Sequence, residues 1–140
     1  MLSNNDDINV LTVTSDLLRQ QIVKRRIAQP SEDVAAAAIN LWEHLATQII
    51  PIIGEGGFNA IYARSVFLTQ STFPWLAADS LSPQTDHRFA ELKISLEGRP
   101  PEQTNAGNSL LLITFTDILA SLIGEQLTNL IIRSALGDDS

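Results

Sequence analysis

The sequence predicts an all-α protein that folds as a bundle of five or six helices. Apolar residues recur three and four positions apart along most of the chain, which is the period of one helix face. No segment keeps the alternation of apolar and polar residues that is typical of a half-buried strand. Stretches containing proline and glycine separate the helical patterns and set their ends.

With 140 residues, the chain has the length of one domain, which we expect to span 8–137. Its apolar content of 44% is typical of a globular rather than a disordered protein. The predicted segments, in chain order, are a flexible tail at 1–7, a helix at about 8–28, a helical hairpin at about 32–70, a short helix at 83–97, a second helical hairpin at about 101–136 and a tail at 138–140.

The stretch IIPIIGEGGFNAIYARS, at 49–65, carries three glycines between two helical patterns. A phosphate-binding loop needs a strand before it and usually a lysine to meet the charge. Here a helix precedes the glycines, and Glu55 inside the stretch would repel phosphate. We therefore predict a tight corner with positive φ at one or more of Gly54, Gly56 and Gly57. Pro51 should kink or end the preceding helix.

A second stretch repeats part of this pattern 70 positions later. IGEGGFNAI at 53–61 aligns with IGEQLTNLI at 123–131, with five identities in nine positions. The repeat predicts two helical hairpins of similar design, in which a buried helix ends at a glycine and the next begins with a glutamate. We expect the hairpins to cross-pair, Glu55 with Arg133 and Glu125 with Arg64.

The motifs GEGGFNAIYARS, FPWL and LIGEQLT also carry a family resemblance. Together they resemble a set of small uncharacterised bacterial all-helical proteins, over roughly residues 45–136. The resemblance implies a bacterial, cytoplasmic helical protein. It implies no activity, cofactor or catalytic residue.

Composition excludes or disfavours several functions. A net charge of −7 disfavours nucleic-acid binding, in spite of a basic stretch at 19–26. The absence of cysteine excludes disulfides, thiolate metal sites and cysteine nucleophiles. The apolar run at 110–123 is shorter than the ~20 residues of a membrane span, and the N-terminus has no signal-peptide pattern. We expect a cytoplasmic protein without membrane association.

Few side chains are candidates for chemistry. Asp117 lies in the most apolar segment, where a carboxylate either contacts a ligand or pairs with an arginine. A pocket near Asp117, Tyr62 and Arg64 would make the protein a small-molecule-binding or enzymatic bundle. His44 and His87 each lie near a glutamate, but two ligands do not make a metal site. We assign no catalytic residue, metal or cofactor.

The favoured hypothesis is a non-enzymatic interaction or regulatory module with an unknown protein partner. Its candidate surface comprises Phe73 and Trp75 of the FPWL loop together with Ile131 and Ile132. We expect Trp75 to be largely buried, because its loop is too apolar to extend into water. The apolar residues of the last segment cover more than one helix face, which predicts a homodimer with Ile131 or Ile132 near its axis.

Overall fold

The computed structural model describes residues 17–27, 33–76 and 89–136, and helices account for most of them. The helices are α1, which is described over 17–27, α2 (Val34–Thr69), α3 (Ala90–Glu97), α4 (Pro101–Ile123) and α5 (Glu125–Leu136). Within these ranges there is no strand, so the prediction of an all-α bundle is confirmed. The predicted tails and the predicted start of the short helix at 83 lie outside the described residues.

α2 begins with a side-chain cap and contains a sharp reversal. The carboxylate of Asp33 accepts a hydrogen bond from the amide of Ala36 at 3.0 Å, which satisfies one of the free donors of the first turn. Of the two outcomes predicted for Pro51, a kink or an end of the helix, the second does not occur: the helix continues through Pro51, and its non-helical residue is Gly54. The rings of Trp42 and Tyr62 lie 5.4 Å apart, whereas one continuous helix would separate them by about 30 Å. Gly54 therefore folds α2 into a hairpin.

α4 and α5 form a second hairpin with the same corner. Gly54 has φ 87° and ψ 159°, and Gly124, between α4 and α5, has φ 97° and ψ 155°. This backbone region is essentially restricted to glycine. One residue with these dihedral angles between two helices sets the angle between them, so both corners turn the chain in the same way. The sequence repeat is thus also a repeat of backbone geometry.

Burial follows the same repeat. Most core positions of the first hairpin have a buried counterpart 70 residues later, and Ile52 and Leu122, two residues before each corner, are both exposed. The matched buried pairs are Leu41 with Leu111, Trp42 with Leu112, Leu45 with Phe115, Ala46 with Thr116, Ile49 with Leu119, Phe58 with Thr128, Ile61 with Ile131 and Tyr62 with Ile132. The prediction of two similar hairpins is confirmed.

An aromatic cluster fills the interior between the hairpins. Trp42 packs edge-on against Phe115 at 5.2 Å and against Tyr62, and Phe58 and Phe89 complete the cluster. The indole of Trp42 donates a hydrogen bond to the side-chain oxygen of Asn108 at 2.8 Å, inside the core. This bond joins α2 to α4 and satisfies a buried donor that would otherwise destabilise the fold.

α4 packs against both α2 and α5. It begins at Pro101, where a proline in the first turn loses no helical hydrogen bond. By length and composition, its 23 residues could cross a membrane. Length and composition alone are weak evidence of a membrane span, since the core helix of a soluble protein meets the same criteria. In this structure Leu111, Leu112 and Phe115 of α4 are fully buried.

Candidate functional site

A buried arginine joins α1 to the second hairpin. Arg19 is 2% exposed, and its guanidinium lies between α4 and α5. Nη2 donates a hydrogen bond to Oδ1 of Asp117 at 2.9 Å, and Nη1 donates to Oε1 of Glu125. The two carboxylates belong to different arms of the hairpin, on either side of Gly124. We call this arrangement the Arg19 bridge.

The electrostatics of the Arg19 bridge keep the guanidinium charged. Burial lowers the pKa of Arg19, but its hydrogen bonds to Asp117 and Glu125, and their negative charges, outweigh burial and raise that pKa. Both carboxylates remain about half-exposed, so water shares in their solvation. Charge-assisted hydrogen bonds of this kind are roughly twice as strong as neutral ones. The Arg19 bridge therefore ties α1 to both arms of the second hairpin at its corner.

The structure places the three candidate pocket residues in different surroundings. Asp117 is at the surface and pairs with Arg19, which is the arginine-paired alternative considered from the sequence. Tyr62 is buried among aromatic rings. Arg64 is exposed and its guanidinium lies 5.8 Å from the ring of Phe67. Since residues two apart point to different sides of a helix, Tyr62 and Arg64 do not face one cavity.

The hydroxyl of Tyr62 is a buried polar group without a hydrogen-bond partner in the described part of the chain. Desolvation by burial raises the pKa of Tyr62 well above its usual range. A phenol that stays neutral in this way is a poor general base. Its aromatic ring contributes to packing, and its hydroxyl does not take part in a described polar network.

The FPWL loop packs against α4. Phe73 and Trp75 are partly buried and lie edge-to-face at 5.7 Å, so Trp75 is less enclosed than the sequence predicted. The guanidinium of Arg99 lies 5.0 Å from the Trp75 ring. Gly107 of α4 faces this ring closely, because a Cβ there would be 2.8 Å from Cη2 of Trp75.

Ile131 and Ile132 do not form a surface. Ile132 is fully buried and Ile131 nearly so, both within the chain's own core. The surface predicted for them is therefore not exposed in a single chain, because α5 turns these side chains toward α2 and α4. The exposed apolar side chains of this region are Leu122, Leu127 and Leu130, at 60%, 39% and 62% exposure. We call these three residues the leucine face.

The described residues contain no cluster of three or more metal-ligating side chains. His44 is exposed, and its Nδ1 lies 2.8 Å from the backbone oxygen of Asn40, one turn earlier. His87 lies outside the described ranges.

Sequence reasoning missed the role of Arg19, although a signal was present: Arg19 is three and four positions before Ile22 and Val23, on the apolar face of α1.

Comparisons with protein-family models, curated proteins and solved structures give no match. The resemblance to small bacterial helical proteins stays a prediction. The predicted pairing of Glu125 with Arg64 is wrong, since Glu125 accepts from Arg19.

Proposed function

We propose that this protein is a non-enzymatic interaction module that self-associates through the leucine face. The observation that supports it most directly is the exposure of Leu122, Leu127 and Leu130 at the end of one helix and along the next. Leu127 and Leu130 are three residues apart and share one side of α5. Large exposed apolar side chains, when they form a patch, are typical of interaction sites.

The polar candidates support the same conclusion. The carboxylates of Asp117 and Glu125 bind the guanidinium of Arg19, and the hydroxyl of Tyr62 is enclosed by aromatic rings. Each of these polar groups is therefore used for pairing or packing within the chain. An interaction module needs only the surface and a rigid scaffold behind it, which the buried Ile131 and Ile132 provide.

A second copy of this chain is the proposed occupant of the leucine face. The commonest closed assembly is a twofold dimer, in which the same patch meets itself. Such pairing covers both leucine faces at once. A bacterial cytoplasmic location is part of the proposal on the strength of the family resemblance alone, and a further, unidentified protein partner belongs to the interaction-module hypothesis.

Sedimentation equilibrium at micromolar concentrations tests the proposal. We expect the wild-type mass to rise from 15.3 kDa toward twice that value as concentration increases. Leu130→Glu should weaken the dimer about 100-fold, because it forces an unpaired charge into an apolar contact. The matched control is Ile94→Glu, which changes a residue of 63% exposure on α3. A wild-type mass that stays at one chain at every concentration would contradict self-association.

A further inference from the structure

The Gly124 corner differs from a continuous helix at one residue. The amide of Gly124 donates to the oxygen of Ala120 at 2.9 Å, and the amide of Thr128 donates to the oxygen of Gly124 at 3.1 Å. Both bonds join residues four apart, as in an α-helix. If Gly124 adopted helical dihedral angles, the amides of 125–127 would gain the oxygens of 121–123. Residues 101–136 would then form a single helix.

We propose that Gly124 is a hinge at which α4 and α5 straighten, so that α5 leaves its own chain and packs into a second copy of this protein. α5 buries Thr128, Ile131 and Ile132, and these side chains need the surroundings that α2 and α4 supply. A second copy with its own hinge open presents the same surroundings. The exchanged dimer therefore keeps the packing of these three side chains, which lie farther from the hinge than Glu125, and adds three backbone hydrogen bonds at each hinge.

The Arg19 bridge holds the hinge closed. Its guanidinium binds Asp117 and Glu125 together only when the chain reverses between them. In a continuous helix these residues are eight positions apart, which separates them by about 12 Å along the axis. One guanidinium cannot then bind both carboxylates of that helix. Arg19 thus favours the closed state over the open one, which is the differential interaction that a two-state switch requires.

The Gly54 corner is not a hinge of this kind, although its backbone geometry is the same as that of the Gly124 corner. Pro51, Gly56 and Gly57 surround it, and their counterparts around Gly124 are Ser121, Gln126 and Leu127. Proline and glycine inside a helix disfavour a continuous one, whereas glutamine and leucine favour it. The first corner therefore has no tendency to straighten, and the second is the hinge.

A pair of engineered cysteines distinguishes the closed chain from the exchanged dimer. The protein has no cysteine, and Nε2 of Gln48 on α2 donates to Oγ of Ser134 on α5 at 3.0 Å, at the surface. In a Gln48→Cys, Ser134→Cys background, a short bismaleimide cross-linker replaces the reach of the glutamine side chain and joins the two thiols within a closed chain. In an exchanged dimer it joins two chains and gives a covalent dimer on a denaturing gel. A dimer through the leucine face leaves the cross-link within each chain, so the two modes of association are separable.

Gly124→Ala is the decisive variant in this background. A Cβ at Gly124 meets no atom within 4 Å, so alanine there opposes only the positive φ. It should shift the equilibrium toward the open hinge by about tenfold to a hundredfold. Gly56→Ala is the matched control, because a Cβ there also meets nothing and its backbone is helical. We expect a covalent dimer from Gly124→Ala and a covalently closed monomer from the control.

A folded Gly124→Ala protein that remains a monomer with an internal cross-link would overturn the proposal. Should that variant not fold, Arg19→Gln decides, since it removes the bridge and leaves the corner unchanged. More covalent dimer than in the parent supports the hinge, and an internal cross-link alone refutes it. The parent double-cysteine protein, refolded from denaturant at high concentration, provides a third measurement. Covalent dimer in the refolded material supports exchange, and its complete absence excludes it.

Discussion

The hydroxyl of Tyr62 is the clearest case of a polar atom enclosed without compensation. It has no hydrogen-bond partner among the described residues, while its ring contacts Trp42, Phe58 and Phe89. A buried hydroxyl in this state gains nothing from its polarity and loses its hydration. Tyr62→Phe should therefore leave the free energy of unfolding unchanged or slightly raised at neutral pH, as measured by urea denaturation.

The same side chain should make the fold sensitive to alkali. The folded state holds the pKa of Tyr62 above its ordinary value of 10.0, so above that pH the unfolded chain loses a proton that the folded chain keeps. The unfolded state then binds fewer protons, and the free energy of unfolding falls as pH rises, by at most about 1.4 kcal/mol per pH unit. The fall should be smaller in Tyr62→Phe. Since Tyr62 is the only tyrosine, phenolate absorbance of the native protein provides an independent check. Phenolate formation near pH 10 without unfolding would contradict the assignment.

Residue roles were partly predictable from the sequence. A carboxylate in the most apolar segment had to be paired, and an arginine was one of the alternatives for Asp117. The identity of that arginine was not accessible, because Arg19 is 98 positions away in the chain. Tyr62 and Arg64 were grouped with Asp117 on residue type alone, and their directions on the helix separate them.

At the level of elements, the two corners explain how short connections can join long helices. A single glycine, with φ and ψ values that other residues essentially do not adopt, reverses the chain without a loop. The sequence predicted a corner at 54–57 but not which glycine forms it. The repeat contained that information, since Gly54 alone of the three has a glycine counterpart, Gly124. Pro51 did not end the helix, although it removes one ladder hydrogen bond, and the arm continues for two more residues to the corner at Gly54.

Gly54→Ala tests the role of this corner. Alanine at φ 87° should lower the free energy of unfolding by about 1–3 kcal/mol, because only the backbone conformation opposes it. Gly56→Ala, two residues later on the helix, should raise that free energy by about 0.5–1 kcal/mol through better helix propensity. Thermal unfolding of the two variants gives both values. Equal effects of the two substitutions would contradict the assignment of the corner to Gly54.

At the scale of the whole molecule, two similar hairpins pack around one aromatic cluster, and α1 and α3 cover parts of them. The repeat and the helical periods are local, so the sequence predicted the hairpins. How they fit together depends on contacts such as the bond between Trp42 and Asn108, 66 positions apart, which no local pattern indicates. The burial of Ile131 and Ile132 was missed for this reason. An apolar helix looks the same in sequence whether its own chain or a partner covers it.

The FPWL loop provides the last test of how the hairpins are connected. This segment follows α2 and packs on α4, where Gly107 leaves room for the ring of Trp75 and the side chain of Leu76. In Gly107→Ala the new Cβ would lie 2.8 Å from Trp75 and 3.2 Å from Leu76, closer than packed carbon atoms allow. We expect Trp75 to move outward and the free energy of unfolding to fall by about 1–3 kcal/mol, as for other overpacked sites.

Tryptophan fluorescence measures this displacement directly. Trp42 is fully buried, so emission that a soluble quencher can reach comes from Trp75. Quenching should increase in Gly107→Ala and the emission should shift to longer wavelength, because the indole gains contact with water. Gly98→Ala is the control, since a Cβ there makes only ordinary contacts, at 3.8 and 3.9 Å. Unchanged quenching in a Gly107→Ala protein of wild-type stability would show that the loop does not depend on this contact, and that Arg99 and Phe73 suffice to hold Trp75.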